Sequence, residues 1–158
     1  MNTAEDFQRR FMEAEKSLYM VALGYLHSTE DARDAVQDAA EAAFRSFGGL
    51  REKSYFKTWI TRILINKCKD FIRKRRFTEE LTDDCGIFDR LPDEELCLMD
   101  AVCRLAPDQA RFITLRYYGN MTYEEVAAAL KMPVATVKYK TKKALKRLKD
   151  LWEGEDKE

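Results

Sequence analysis

The sequence has few of the residues that define disulfide-rich or metal-binding proteins. Its four cysteines (Cys68, Cys85, Cys97 and Cys103) include no CxxC pair, and His27 is the single histidine. Zinc sites need closely spaced Cys and His ligands, so neither a metal site nor any other cofactor is expected. Cys68, Cys97 and Cys103 instead suit small buried side chains in a reduced, cytoplasmic protein.

Long apolar runs and catalytic motifs are also lacking. No segment approaches the roughly 18–20 apolar residues of a membrane-spanning helix, and the first residues, MNTAEDFQRRF, lack the apolar core of a signal peptide. There is no glycine-rich phosphate loop and no nucleophile–base pairing, so an enzyme is not expected. With 46% hydrophobic and 35% charged residues among 158, the composition is typical of a soluble globular protein with one or two small domains.

The formal net charge of zero conceals a strong alternation along the chain. Residues 51–76 carry ten Lys or Arg and two acids, and residues 131–149 carry eight Lys or Arg and no acid. Residues 78–100, between these blocks, have a net charge of −8. Two basic blocks separated by an acidic connector indicate two places where a polyanion could bind.

The first basic block contains a predicted amphipathic helix over residues 54–76. Its apolar stripe comprises Phe56, Ile60, Ile63, Leu64, Cys68, Phe71 and Ile72. A second face carries donors suited to phosphates and base edges: Thr58, Arg62, Asn66, Lys69 and Arg73. Tyr55, Phe56 and Trp59 offer rings that could stack on unpaired bases. The alternative is a surface helix with a solvated basic face and core aromatics, and this segment alone does not decide between them.

Two helices are predicted before the basic helix. Residues 4–26 place apolar side chains at steps of four and three, namely Phe7, Phe11, Ala14, Leu18, Val21 and Tyr25. Ser28 and Asp31 form a capping-box-like start for the second helix, which Gly48 and Gly49 end. The outer face of this helix is acidic, which fits either a solvated surface or a surface that docks on a basic partner.

The acidic stretch at residues 77–92 shows no sustained period and contains Gly86 and Pro92, so we expect a flexible linker. Helical spacing resumes at Asp93, and another helix is predicted to start at Pro107 and to end at Gly119.

The second basic block ends a predicted helix-turn-helix. Thr122 and Glu125 have capping-box spacing, residues 131–133 form a short turn, and a longer helix runs from about Ala135 to Leu151. Its predicted inner face is Val137, Thr141, Ala144 and Leu148, and its outer face is Lys138, Tyr139, Lys142, Lys143, Lys146 and Lys149. A plain helical hairpin with a solvated lysine face is the alternative, but the unopposed charge favours DNA binding.

Three blocks of the chain resemble the extracytoplasmic-function (ECF) group of the sigma-70 family, the sigma factors of bacterial RNA polymerase: DARDAVQDAAEAAF (31–44), FKTWITRILINKCKDFIRKRR (56–76) and LRYYGNMTYEEVAAALKMPVATVKYKTKKALKRL (115–148). The resemblance implies an all-α fold of two small domains: a region 2-like domain at 1–76, a linker at 77–92 and a region 4-like helix-turn-helix domain at 93–153. It implies a non-enzymatic subunit that binds core polymerase and directs promoter recognition and opening.

The resemblance also implies roles for individual residues. Core polymerase binding would use Asp31, Asp34, Gln37 and Asp38. Recognition of the minus-ten element would use Trp59, Arg62, Asn66, Lys69 and Arg73. Recognition of the minus-thirty-five element would use Thr136, Lys138, Tyr139, Lys142 and Lys143. The implied partners are the clamp and flap regions of the polymerase core, promoter DNA and an anti-sigma factor, without membrane insertion.

This chain departs from its relatives within the helix-turn-helix. Many relatives carry Gly at the position of Lys131 or Ala135, and Ser-Arg in place of Tyr139 and Lys140. Lysine lacks the bidentate fit of arginine to guanine, so these changes bear on which promoter sequence is read. The alternative function is a stand-alone helix-turn-helix transcriptional regulator, which would leave the basic helix and the acidic helix without a role.

Overall fold

The computed structural model describes residues 3–78 and 93–156. Within these ranges the chain forms seven α-helices and no β-strand, so the all-α prediction is confirmed. The helices are α1 (Thr3–Leu26), α2 (Thr29–Ser46), α3 (Phe56–Thr78), α4 (Asp93–Cys103), α5 (Pro107–Ile113), α6 (Tyr123–Leu130) and α7 (Val134–Asp156). The linker predicted at 77–92 lies outside the described residues, except that Phe77 and Thr78 continue α3.

Helices α1, α2 and α3 pack against one another as the first domain. At one end, the Phe7 ring lies edge-on to three other rings, with centroids 5.3 Å from Phe44, 5.4 Å from Phe47 and 5.7 Å from Phe56. Edge-to-face pairs at this separation add stabilisation beyond their buried area. This aromatic cluster therefore holds the start of α1 against the end of α2 and the start of α3.

The opposite end of this domain is held by polar contacts. The Ser28 hydroxyl accepts a hydrogen bond from the Asp31 backbone N–H at 3.2 Å, which confirms the predicted start of α2. Arg75, near the end of α3, donates from Nη1 to the Leu26 carbonyl at 2.7 Å and from Nε to the Asp31 carboxylate at 3.1 Å. One guanidinium thus fixes the α1–α2 junction onto α3.

Helices α4 to α7 form the second domain, with α7 packed against α4, α5 and α6. The inner face predicted for α7 is confirmed, since its four members are all buried: Val137, Thr141, Ala144 and Leu148. The helix predicted from Pro107 to Tyr118 is instead two segments. After α5 the chain widens into a π-helical turn at Thr114–Tyr118, where the Gly119 N–H donates to the Thr114 carbonyl at 2.9 Å.

The two domains contact each other through the second half of α1, which packs on α4, α5 and the π-helical turn. A side-chain methyl at Gly24 would lie 2.5 Å from the Thr114 side chain, so glycine permits this close approach. Residues 20–26 are buried on every side. The single apolar seam predicted for α1 is therefore wrong for this half, because the helix faces its own domain on one side and the second domain on the other.

Candidate nucleic-acid and protein interfaces

The apolar stripe of α3 is where the sequence placed it. Phe56, Ile60, Leu64 and Cys68 are buried, and Ile63, Phe71 and Ile72 are half-buried. Sequence reasoning missed Thr61 and Ile65, which are also buried. The Thr61 hydroxyl donates to the Lys57 carbonyl at 2.6 Å, and this bond allows the hydroxyl to be buried. The spacing of apolar residues alone does not identify a buried threonine.

The polar side chains predicted to bind DNA, three of them basic, follow one face of α3. Arg62, Asn66 and Arg73 are exposed and Lys69 is half-buried. Their spacing of four, three and four residues aligns them along the helix. Arg73 is not wholly available, since its Nη2 lies 2.9 Å from the Asp70 carboxylate. The face can therefore form a basic track on the side opposite to the core.

Trp59 lies between the core and the surface. Its ring centroid is 5.9 Å from that of Phe56 and 6.5 Å from that of Phe47, and the side chain is only half-buried. Trp59 therefore packs on core aromatic rings, as one interpretation of the sequence requires, and keeps part of its ring accessible for stacking on a base, as the other requires. Tyr55, which precedes the helix proper, is 62% exposed. It is the more accessible of the two rings.

The four residues of α2 predicted to bind core polymerase divide into two kinds. Asp34, Gln37 and Asp38 are exposed, whereas Asp31 is half-buried and bonded to Arg75. Asp31 therefore has a partner within the domain. Sequence reasoning missed Phe44, whose ring is 51% exposed two turns beyond Gln37 on the same helix face. The available signal was a large apolar residue at a position where the helical period calls for a polar one.

The helix-turn-helix begins with the predicted capping box. The Thr122 hydroxyl accepts from the Glu125 N–H at 3.1 Å, and the Thr122 N–H donates to the Glu125 carboxylate at 3.2 Å. In the turn, Lys131 has φ 56° and ψ 50°, the left-handed conformation that glycine adopts most easily. The second helix, α7, starts at Val134, close to the predicted Ala135, and continues five residues beyond Leu151.

The outer face of α7 is exposed as predicted, at Lys138, Tyr139, Lys142, Lys143, Lys146 and Lys149. Tyr139 is 65% exposed, and Thr136 is half-buried. The Lys138 ammonium lies 5.9 Å from the Tyr123 ring, and the Arg116 guanidinium lies 5.0 Å from the same ring. Sequence reasoning assigned no role to Arg116, which is half-buried and donates from Nη1 to the Met121 carbonyl at 3.4 Å.

Glu125 connects this motif to α3. The hydrogen bonds of Glu125 are with Thr122, and Thr58 and Arg62 of α3 lie close enough to influence its ionisation. Burial opposes its ionisation, but the hydrogen bonds from Thr122 and Thr58 and the charge of Arg62 together lower the pKa of Glu125 below its usual value. The carboxylate is therefore favoured in its ionised form.

Cys68 and Cys103 belong to the hydrophobic core. Cys68 and Cys103 are buried, as predicted, whereas the Cys85 and Cys97 side chains lie outside the described residues. Burial raises the pKa of the Cys68 thiol to about 12, which leaves it protonated and unreactive. Among the described residues, no three His, Cys, Asp or Glu side chains converge in a group that could hold a metal ion. No described helix combines the length and apolarity that a bilayer-spanning segment requires.

Comparison with known proteins gives matches to both domains. The Sigma-70 region 2 family matches residues 11–78, and the Sigma-70, region 4 family matches residues 95–148. An RNA polymerase sigma-E factor from Streptomyces antibioticus is 30% identical over 156 residues, which cover 96% of this chain and 87% of that protein. An ECF RNA polymerase sigma-E factor from Haemophilus influenzae is 30% identical over 130 residues, which cover 70% of this chain and 69% of that protein.

Two solved structures share the fold. One is the sigma factor RpoE in complex with the anti-sigma factor NepR from Bartonella quintana, with a TM-score of 0.77 and 22% identity over 94% of this chain and 98% of that chain. The other is CnrH in complex with the cytosolic domain of CnrY, with a TM-score of 0.67 and 23% identity over 96% of this chain and 90% of that chain.

Proposed function

The chain belongs to the ECF group of the sigma-70 family, the non-enzymatic subunits with which bacterial RNA polymerase initiates transcription, and on that premise we propose how its residues divide promoter recognition. The observation that carries the proposal is the presence of two separate basic helix faces, on α3 and α7, each backed by its own buried stripe. Residues 1–76 would bind the minus-ten element and the polymerase, and residues 93–153 the minus-thirty-five element.

The face of α3 receives the non-template strand of the minus-ten element. A single strand is bound by a basic track together with rings that stack on its bases. The track is Arg62, Asn66, Lys69 and Arg73, and the ring is Trp59. The exposure of Arg62 and Asn66 and the incomplete burial of Trp59 support these roles.

The second helix of the helix-turn-helix enters the major groove of the minus-thirty-five element. Its contacts are Thr136, Lys138, Tyr139, Lys142 and Lys143. Exposed lysines suit phosphate oxygens, which fix the position of the helix, and side chains near the start of such a helix reach base edges. The exposure of these lysines, without an acidic residue between 131 and 149, supports this placement.

The acidic face of α2 binds the clamp of the polymerase core. Asp34, Gln37 and Asp38 make the contacts, while Asp31 holds α2 in position through Arg75. The second domain reaches the flap region of the polymerase. An anti-sigma factor is a further partner of this cytoplasmic protein, supported by the fold shared with the sigma factor RpoE, whose structure was solved with the anti-sigma factor NepR.

In vitro transcription with and without the protein tests the proposal, using bacterial core polymerase and DNA from upstream of its own operon. We expect transcripts with defined start sites only when the protein is present. Duplex binding without polymerase, and no co-elution with core, would favour the stand-alone helix-turn-helix regulator instead. Co-elution without transcripts on a panel of upstream regions would contradict the promoter-opening role.

A further inference from the structure

The first turns of α7 have an outermost line of side chains that contains no charge. The buried side of the helix is centred on Val137, Thr141 and Ala144. Since successive residues turn by about 100° around a helix, the opposite side is centred on Ala135 and Tyr139, which are both exposed. These two residues therefore form the line that would lie deepest in a groove of DNA.

Lysines occupy the two flanks of the same turns. Lys138 lies on the side of α6, where its ammonium is 5.9 Å from the centre of the Tyr123 ring. Lys140 lies on the side of α5, where its ammonium is 6.0 Å from the centre of the Phe112 ring. Both lysines are exposed, and residues two apart on a helix point to nearly opposite sides. The helix therefore carries one cation on each side of its outermost line.

These two kinds of position suit different parts of a DNA duplex. A helix in the major groove faces base edges with its outermost line and a phosphate backbone with each flank. Lysine is a flexible point charge, which pairs with a phosphate without the fixed geometry of an arginine fork. Strong discrimination between bases comes from bidentate bonds such as those of arginine, asparagine and glutamine. Residues 131–146 include none of these three residue types.

We propose that α7 lies in the major groove with Lys138 and Lys140 on the two phosphate backbones, and that its outermost line discriminates little between bases. The inference rests on the proposed binding of the minus-thirty-five element by α7, and it adds Lys140 to the residues that bind DNA. Lys142 and Lys143 continue the two flanks one turn later, at spacings of four and three residues. The affinity of the second domain for a duplex then depends mainly on charge.

The choice of promoter then depends on the first domain. Its basic face exposes Arg62 and Asn66, a guanidinium and an amide that can each bond to a base edge with two atoms at once. The two domains therefore offer different chemistry to DNA. We expect discrimination between bases in the minus-ten element and charge-dependent affinity in the minus-thirty-five element.

Single base-pair substitutions measure the discrimination in each element. The protein is used as holoenzyme with core polymerase, on a promoter whose start site has been mapped by in vitro transcription. Each base pair of the two protected elements is replaced in turn, and affinity is measured by competition with the unaltered promoter. We expect losses below about threefold throughout the minus-thirty-five element, whereas a base pair that a protein reads directly costs roughly 5- to 150-fold.

Lys140→Ala tests the second flank. It should reduce the slope of log affinity against log salt by about 1, because each phosphate contact contributes about 0.9 to that slope. Lys140→Arg is the matched variant, since it keeps the charge and should retain the slope. Both variants should behave alike on every substituted duplex, because phosphates carry no base identity.

Two results would overturn the inference. A loss of about tenfold or more at any base pair of the minus-thirty-five element would show that α7 reads bases directly. An unchanged slope in Lys140→Ala would show that this lysine does not contact a phosphate. If Lys138→Ala also left the slope unchanged, the proposed duplex binding by the second domain would fail as well. Losses below about threefold throughout the minus-ten element would instead contradict the proposed role of α3, while the inference for α7 stands.

Discussion

Helices α3 and α7 have similar sequence patterns, but their basic side chains have different surroundings in the fold. Each has a buried stripe and a basic face, with ten and eight basic residues in their respective segments. The lysines at the centre of the α7 face are exposed, whereas much of the charge on α3 has partners within the protein. Arg75 binds Asp31, and Arg73 contacts Asp70.

This difference shows that two runs of basic residues can differ in how many of their charges are available to bind DNA. On α7 the exposed lysines can contact phosphates without any rearrangement of the protein, so the affinity for duplex DNA should depend mainly on salt concentration. On α3 the charge of Arg75 stabilises the fold through Asp31, so strand binding should depend on the integrity of the first domain as well. The following predictions test that distinction, from the largest expected effect to the smallest.

Trp59→Ala should impair promoter opening by about 10- to 100-fold, since stacking of a base on an aromatic ring contributes about 1–3 kcal/mol. Permanganate reactivity of thymines in the minus-ten region measures the opening. Core binding, measured by co-elution, should be retained. Trp59 also packs on Phe47 and Phe56. If the variant lost polymerase binding and its melting temperature fell sharply, Trp59 would serve only to stabilise the hydrophobic core of the first domain.

Lys138→Ala combined with Lys143→Ala should weaken duplex binding by about tenfold and reduce the slope of log affinity against log salt by about 2, because each phosphate contact contributes about 0.9 to that slope. Titration of polymerase holoenzyme on a minus-thirty-five duplex at several salt concentrations measures both quantities. Lys16→Ala, on an exposed part of α1, is a control for the loss of one charge elsewhere. An unchanged slope would place both lysines outside the interface.

Asp31→Asn should lower the free energy of unfolding by about 1–2 kcal/mol, because the partly buried carboxylate loses its charge-assisted bonds to Arg75. Asp34→Asn is the matched variant on the same helix and should leave stability unchanged, because Asp34 is exposed. It should instead weaken core binding about two- to fivefold. Denaturant unfolding and core affinity separate the two roles, and the reverse pattern would restore Asp31 as a contact residue.

The local features of the fold could be predicted from the sequence because they depend on neighbours along the chain. The Ser28 cap, the capping box at Thr122 and the inner face of α7 are each set by residues within one or a few helical turns. Most of the candidate site lies on these helices, so its exposed side chains were predicted as well.

The contacts between distant segments could not be predicted in this way. Gly24 meets Thr114, and Asp31 meets Arg75, but no periodic pattern links positions so far apart. One signal was available in the sequence. Residues 20–26, MVALGYL, are apolar all around the helix, and such a segment is buried on more than one side. That pattern indicated a second packing partner for α1 without identifying α5.

Lys131→Gly should raise the free energy of unfolding by about 0.5–1 kcal/mol, because a non-glycine residue in the left-handed region pays about 1–2 kcal/mol and the greater freedom of glycine in the unfolded chain cancels part of the gain. Asn120→Gly is the matched control at φ 52°, and its gain should be smaller since asparagine tolerates this conformation. Thermal unfolding measures both. Since Lys131 precedes α7, the loss of affinity for duplex DNA should not exceed the contribution of one phosphate contact. A larger loss would mean that the turn, and not only the exposed face of α7, binds DNA.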